Sequence, residues 1–341
     1  MFSLAELTYL NLYTTDPAFN LAAEQYVFDS MPKDRMYFML WQNDNAIIIG
    51  KYQNTLAEIN LPYVEEHGIR VVRRLSGGGA VYHDMGNLNF TFIADAGDTE
   101  KLNMKVFCEP IAEALERIGV HAEINGRNDI TIDGKKFSGN SQYLRGGRVM
   151  HHGTIMFDSD LSVLGEALKV DRSKIEAKGI KSIRSRVTNI KQHISDDISL
   201  EQFRELLLSG ILEKFEGAEY VFSEKDVAEI ERIRADRYST WEWNFGRSPE
   251  CTIKRIARIE GCGKIEAYIT LEHGAVVSVE FRGDFFSTED PGTLAEKLKG
   301  IRPSREEFLK AIGNDDVSRY FMNMTTDRLA DLLTPASEEQ D

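Results

Sequence analysis

The residues best equipped for chemistry form the run Arg73-Arg74-Leu75-Ser76-Gly77-Gly78-Gly79-Ala80-Val81-Tyr82-His83-Asp84. Three consecutive glycines let a backbone adopt φ > 0 and approach a ligand with no Cβ in the way. Successive N–H groups in such a loop converge on an anion. Two arginines just upstream add forked donors for phosphate or carboxylate. No Gly-Lys-Ser/Thr follows, so this is not a Walker loop, and the loop leads into a strand rather than a helix, which excludes a dinucleotide fingerprint. Without a ligand the same run is a glycine-rich β-turn flanked by surface arginines.

Three further groups carry chemistry. Asn128-Asp129 precedes Gly134-Lys135-Lys136-Phe137-Ser138-Gly139. Neighbouring strand residues point to opposite faces, so one of Lys135 and Lys136 is exposed and the other is able to enter a pocket. A lysine between two anions offsets their repulsion while an anhydride forms. His151-His152-Gly153-Thr154 places two histidines on opposite strand faces, a poor metal pair. One reading makes one of them buried and hydrogen-bonded and the other exposed; another puts one against a substrate. Finally, residues 169–191 hold eight basic against two acidic residues, a local +6 within a chain of net charge −14. A basic island with Gly179, Ser182 and Ser185 interleaved suits a loop that closes on a polyanion, although charge runs are usually solvated faces.

These groups need a scaffold. Residues 7–13 alternate like a strand, and Asp16-Pro17 starts a helix as N-cap and first helical residue. Strands follow at 36–41 and 46–50 across a polar turn, then one helix over 56–67. Three close strands are expected at 69–74, 80–83 and 88–93, the first two joined by the glycines. An amphipathic helix is expected over 103–118. Asp133-Gly134 marks a hairpin, Arg145-Gly146-Gly147 turns the chain into 149–157, and Asp160 caps a helix over 161–169. Hairpins with segregated helices indicate an α+β fold of antiparallel or mixed sheets. Beyond Trp241-Glu242-Trp243-Asn244 come a three-strand meander and two short helices. The expected domains are 1–244, with the chemistry, and a small α+β domain over 245–341.

The 341 residues are 42% hydrophobic and 28% charged, an ordinary globular composition. Net acidity disfavours nucleic acid or anionic membrane as partner, and no apolar stretch is long enough to span a bilayer. Cys108, Cys251 and Cys262 are too few and too irregular for a disulfide framework or a zinc site. With no leader-like start, the cytoplasm is the expected compartment.

Taken in order, the motifs resemble those of lipoate–protein ligases. The resemblance rests on the 73–84 run, Asn128-Asp129, Lys136-Phe137-Ser138-Gly139, His152-Gly153-Thr154, Lys178-Gly179-Ile180, Ser185-Arg186-Val187-Thr188-Asn189 and Gly283-Asp284-Phe285-Phe286. It covers nearly the whole chain and implies a lipoate ligase-like catalytic domain with the family's small accessory domain. It also implies a two-step activity. Lipoate attacks the α-phosphate of ATP to give lipoyl-adenylate and pyrophosphate, and an acceptor lysine then displaces AMP. By this resemblance Lys136 is the central catalytic lysine and meets the lipoyl carboxylate. Arg74, Gly77, Gly78, Gly79, Ala80, Val81, Tyr82, His83, Asp129 and Lys178 serve ATP or the adenylate, while Arg73, Ser76 and His152 serve lipoate. Mg²⁺ accompanies ATP, with Asp129 as its possible ligand. The acceptors implied are lipoyl domains of 2-oxo-acid dehydrogenases or the glycine-cleavage H protein, served by a monomer.

An apolar tunnel for the lipoyl tail has candidates in Leu75, 47–49 and Val71-Val72. The nearest rival is a lipoyl or octanoyl transferase that takes its acyl group from a thioester through an acyl-cysteine. Only Cys108 lies in the catalytic region, and its place beside Phe107 in a helix suits a buried apolar thiol. A biotin ligase lacks support because no Gly-Arg-Gly-Arg-type loop is present. A non-catalytic acyl-binding protein has no need for a phosphate loop and lysine together.

Overall fold

The computed structural model describes residues 7–96, 103–125, 128–168, 186–215, 217–245, 253–272 and 275–334. The chain divides into two compact units. The first contains β1 (Leu7–Asn11), α1 (Pro17–Ser30), β2 (Met36–Trp41), β3 (Ala46–Ile49), β4 (Arg70–Arg73), β5 (Val81–His83), β6 (Asn87–Asp95), β7 (Glu123–Asn125), β8 (Asp129–Ile132), β9 (Lys135–Arg145), β10 (Arg148–Met156) and β11 (Gly217–Glu219). Eight of these strands form one mixed sheet in the order β11-β1-β2-β6-β10-β9-β8-β7. Its pairings are parallel at β11–β1 and β1–β2 and antiparallel from there on.

Both faces of this sheet are covered, and strand alternation divides its side chains between two cores. In β2, Met36, Phe38 and Leu40 face a core with Phe90, Phe92, Phe107, Ile111 and Leu207. Tyr37, Met39 and Trp41 face the opposite core with Leu21, Val27 and Ile230. Helices Lys105–Glu116 and Leu200–Lys214 thus lie on one side, and α1 with Glu224–Ile233 on the other.

α1 begins as its sequence requires. Asp16 accepts from the Ala18 N–H at 2.9 Å, and Pro17, which has no N–H to lose, opens the helix. Beyond its other end the fully buried Arg148 guanidinium donates to the carbonyls of Phe28, Met31 and Pro32 at 2.6–3.0 Å. Carbonyls that a helix end leaves without partners are satisfied there.

Three expectations change. The strands at 36–41 and 46–49 are not partners, because β3 belongs to a second, three-stranded sheet of order β4-β3-β5. The glycine run therefore does not turn a hairpin. It carries the chain from β4, parallel to β3, past the central strand to β5, antiparallel to β3. The helix expected over 56–67 is two short ones, Thr55–Glu58 and Leu61–Glu66. They are separated where Ile59 bridges to Leu168, the Asn60 N–H donates to the Ala167 carbonyl, and Pro62 restarts the helix.

The second unit comprises Gly50–Asn54, Ser76–Gly79 and everything from Gly246 on. β12 (Ile253–Ile259), β13 (Gly263–Glu272) and β14 (Ala275–Gly283) form the expected antiparallel meander. Helices Pro291–Lys297 and Arg305–Ile312 cover it, and a third, Thr326–Leu333, was not anticipated. Phe281, Phe285, Phe308 and Phe321 fill its core.

Candidate functional site

Lys136 owes its direction to a β-bulge. Ile130 pairs with Ser138, but Thr131 pairs with Lys136, so Phe137 is an extra residue in β9. Without it the alternation would send Lys136 toward the core and Phe137 away from it. With it Phe137 is fully buried in the core, and Lys136 stands on the opposite face. Lys135, past the turn made by Asp133 (φ 50°) and Gly134 (φ 73°), is exposed. The two lysines thus divide as the sequence suggested.

Asp129 shares Lys136's face, and Lys136 Nζ lies 2.7 Å from its Oδ1. This is an ion pair in distance rather than an aligned hydrogen bond, since that oxygen has no aligned donor among the described residues. Gly139 makes room for the lysine, because a Cβ there would lie 3.0 Å from Nζ. The lysine backbone is also held. Its N–H donates to the Arg186 carbonyl at 2.7 Å, and its carbonyl accepts from the Thr188 N–H at 2.9 Å. The Arg186-Val187-Thr188 part of the basic run therefore docks along Lys136. The rest of that run through residue 185, including Lys178, lies outside the described residues.

On the α1 side of the sheet, His152 is buried, and its Nδ1 lies 3.0 Å from a carboxylate oxygen of Glu24. Glu24 also accepts from the Thr91 hydroxyl, which accepts from Trp41 Nε1 at 2.9 Å. His151 faces the other core, at 3.1 Å from Gln142 and 3.2 Å from Asn140. Both histidines are therefore buried, not one exposed, because helices cover both faces of their strand. Glu24 is not among the residues that the sequence motifs single out. Its signal was there: Asn20 and Glu24 sit one turn apart within the apolar stripe of α1.

Arg74 is buried, with its backbone N–H on the Ile49 carbonyl and its guanidinium on the Ile48 carbonyl at 3.1 Å. Burial pulls it down to about 10, with Glu24 opposing that shift; it stays cationic. His83 is buried close by. Burial and the Arg74 charge push its imidazole down to about 3, so the ring is neutral.

Arg73 is committed elsewhere. Its guanidinium donates to the Trp243 carbonyl at 2.8 Å and to Thr55 Oγ1 at 2.6 Å. That is the bond pattern of a brace rather than of a lipoate contact. The Tyr82 hydroxyl donates to Asn45, while Val81 and Ala80 pack into cores. Leu75, Ile48 and Val72 are close-packed with Trp41 and Leu21, and Ile47, Ile49 and Val71 with Val64 and Ala167.

Ser76–Gly79 is built into the second unit. The Gly78 N–H donates to the Phe285 carbonyl at 3.3 Å, and a Cβ on Gly77 would lie 2.3 Å from that same oxygen. The Gly77 position needs glycine for this backbone approach, and the Gly78 N–H is not directed at an anion. Ser76 is buried, its carbonyl on the Lys51 N–H.

Cys108 lies in the core on the sheet face opposite Lys136. Burial pushes its thiol up to about 12, the reverse of what an acyl-accepting thiolate needs. Among the described residues no cluster of three or more metal-ligating side chains exists.

Residues 16–212 match the lipoyl protein ligase A/B catalytic domain, and residues 248–333 match the bacterial lipoate protein ligase C-terminus. The lipoate-protein ligase of Bacillus subtilis is 44% identical over 95% of this chain and 98% of its own. A bi-partite lipoate protein ligase of Thermoplasma acidophilum, solved with its E2 lipoyl domain, is 29% identical, with TM-score 0.64 over 73% of this chain and 99% of its own. A lipoate-protein ligase A structure with bound ATP is 27% identical, with TM-score 0.60 over 71% of this chain and 98% of its own. The two family models, together spanning most of the chain, and a relative 44% identical over 95% of it make this chain a member of the lipoate–protein ligase family.

Proposed function

We propose that this protein joins lipoate to acceptor lysines at the expense of ATP, through lipoyl-adenylate. The observation that carries this reading is Lys136, turned out of the core by the Phe137 bulge and set 2.7 Å from Asp129. In the first step a lipoate carboxylate oxygen bonds to the α-phosphorus as the bond to pyrophosphate breaks. Two anions must meet, and the Lys136 ammonium between them offsets their repulsion. Arg74 adds a second fixed cation, held by its bond to the Ile48 carbonyl.

In the second step the neutral ε-amine of the acceptor lysine attacks the acyl carbon. The carbon–oxygen bond to AMP breaks, and the amine loses one proton. A nearby ammonium again stabilises the departing phosphate. Mg²⁺ entering with ATP would be held largely by phosphate and water oxygens, with Asp129 as the neighbouring carboxylate. It would supply further charge neutralisation on the phosphates.

The partners of this reaction are lipoyl domains, in keeping with the lipoyl-domain partner of the Thermoplasma ligase. We place the protein in the cytoplasm as a monomer. Among the described residues no helix is long and apolar enough to cross a membrane. The acyl-cysteine route has no support in the buried Cys108. The deciding experiment is exchange of labelled pyrophosphate into ATP. Lipoate should drive it, and a lipoyl domain should then become modified. Exchange driven only by biotin, or no exchange, would remove this reading.

A further inference from the structure

His83 has a fixed tautomer, and the amides behind it fix it. Asn20 Nδ2 lies 2.7 Å from the Gln42 carbonyl and 3.1 Å from the Thr14 carbonyl. Only a nitrogen fits between two carbonyl oxygens, so the amide orientation of Asn20 is settled by its surroundings. The same nitrogen lies 3.0 Å from the side chain of Asn43, which must therefore present its oxygen, Oδ1. The other end of Asn43 is then its NH₂ group, and it lies 3.0 Å from His83 Nδ1. An NH₂ donates, so Nδ1 accepts and the ring proton sits on Nε2.

That Nε2–H is buried and has no partner among the described residues. Buried donors are almost always satisfied. The charged groups nearest the ring are Arg74 and His152, with Glu24 between them in the network. The Glu24 carboxylate is taken by Thr91 and His152. Trp41, edge-on to His83, adds no acceptor. A donor beside a guanidinium calls for an anion.

We infer that Asn20 and Asn43 are positioning residues that lock His83 as its Nε2–H tautomer, and that this N–H donates to an anionic oxygen of the bound substrates, either the acyl carboxylate or the α-phosphate. The identity of that anion rests on the reaction proposed above; the tautomer does not. A neutral donor of fixed tautomer delivers the same hydrogen bond across the working pH range, with no proton to lose. The Asn43→Asp variant inverts this arrangement. Its carboxylate still accepts from Asn20 but now also accepts from His83. The neutral ring becomes Nδ1–H, and only the imidazolium carries a proton on Nε2.

Two measurements test the inference. Nitrogen-15 NMR of ring-labelled protein, with the His83 signals assigned by their loss in His83→Gln, should show Nδ1 bare and Nε2 protonated. The Nε2–H signal should move on adding lipoate alone if the acceptor is the carboxylate, and on adding Mg·ATP alone if it is the phosphate. Movement only with both present would assign it to the adenylate. An Nδ1–H ring in the wild type, or an Nε2–H signal unmoved by every addition, would overturn the inference even where exchange proceeds normally. In the exchange assay Asn43→Asp should be roughly 10²-fold slower than wild type near pH 8. That deficit should shrink severalfold toward pH 6 as the imidazolium forms. A deficit equal at all pH values would mean a purely structural role. Should Asn43→Asp not fold, the wild-type spectrum alone decides the tautomer. Wild-type protein that carries the Nε2–H tautomer but lacks lipoate-dependent exchange would remove the reaction, and with it the acceptor named here.

Discussion

Lys136 Nζ sits 2.7 Å from Asp129 across the bulged end of the β8–β9 hairpin. Lys136 shares the face of Asp129 only because Phe137 is the extra residue of the bulge. The pair is half exposed, with side chains 36% and 39% accessible. Its contribution to stability is therefore small, within about 1 kcal/mol. In the proposed reaction its value lies in holding an ammonium in place until the substrate anions arrive.

Lys136→Ala should therefore reduce lipoate-dependent pyrophosphate exchange by roughly 10²–10³-fold. Its unfolding free energy should stay within about 1 kcal/mol of wild type. Asp129→Asn should cause a smaller loss, because the ammonium remains but is less well held. Urea unfolding alongside exchange separates the two effects. Wild-type exchange in Lys136→Ala would show that another group carries the charge.

Cys108 offers the sharpest contrast. It is fully buried, 3.8 Å from His151 Nε2, with its thiol pushed up to about 12. Cys108→Ala should leave both exchange and transfer to a lipoyl domain intact, and lower stability by about 1 kcal/mol for the lost buried sulfur. Loss of transfer with exchange retained would revive an acyl-cysteine.

Local order was largely readable in the sequence. The Asp16 cap, the Asp133-Gly134 turn and the C-terminal meander all follow from short-range chemistry. What could not be read was long-range pairing. The β3 segment looks like the partner of β2, yet it leaves for another sheet, and no local signal distinguishes the two. The bulge was equally hidden, because Phe137 and Lys136 alternate in sequence as any strand would. The motif residues stood out in the sequence, but the place of Arg73 did not: its brace, Trp243-Asn244, lies some 170 residues away in the chain. Glu24 shows in the sequence only as a polar residue in the apolar stripe of α1; its partners Thr91 and His152 come from strands distant in sequence.

That brace deserves a test of its own. Asn244 Oδ1 accepts from the Arg73 N–H at 2.9 Å, and Trp243 Nε1 donates to the Arg73 carbonyl at 2.8 Å. Two side chains thus fill both backbone hydrogen-bonding sites of Arg73, one residue before Arg74. Asn244 also donates to the Tyr238 carbonyl at 2.7 Å. Asn244→Ala should destabilise the fold by about 2–3 kcal/mol, since two buried groups lose their partners. The folded variant should also exchange more slowly, because Arg74 is no longer held on one side. A stability loss with unchanged exchange would make the brace purely structural.

Stability should also fall on acidification, and two buried histidines give the sign. The folded-state pKa of His83 is about 3 and that of His151 lies well below its usual value, burial being the main cause in both. Unfolded histidine binds a proton near pH 6.5. Above that pH neither state is protonated, and the full stability is present. As the pH falls from 6.5 toward the folded pKa, only the unfolded chain gains the protons. Each histidine then removes about 1.4 kcal/mol per pH unit. Urea midpoints measured from pH 7.5 down to 5 should therefore decline, and His151→Gln should decline less steeply than wild type. His151 is the better probe because it lies on the sheet face opposite the site, so its replacement reports on stability alone. An unchanged slope in His151→Gln would mean that this imidazole is protonated in the folded protein, contrary to its complete burial between Phe90 and Phe107.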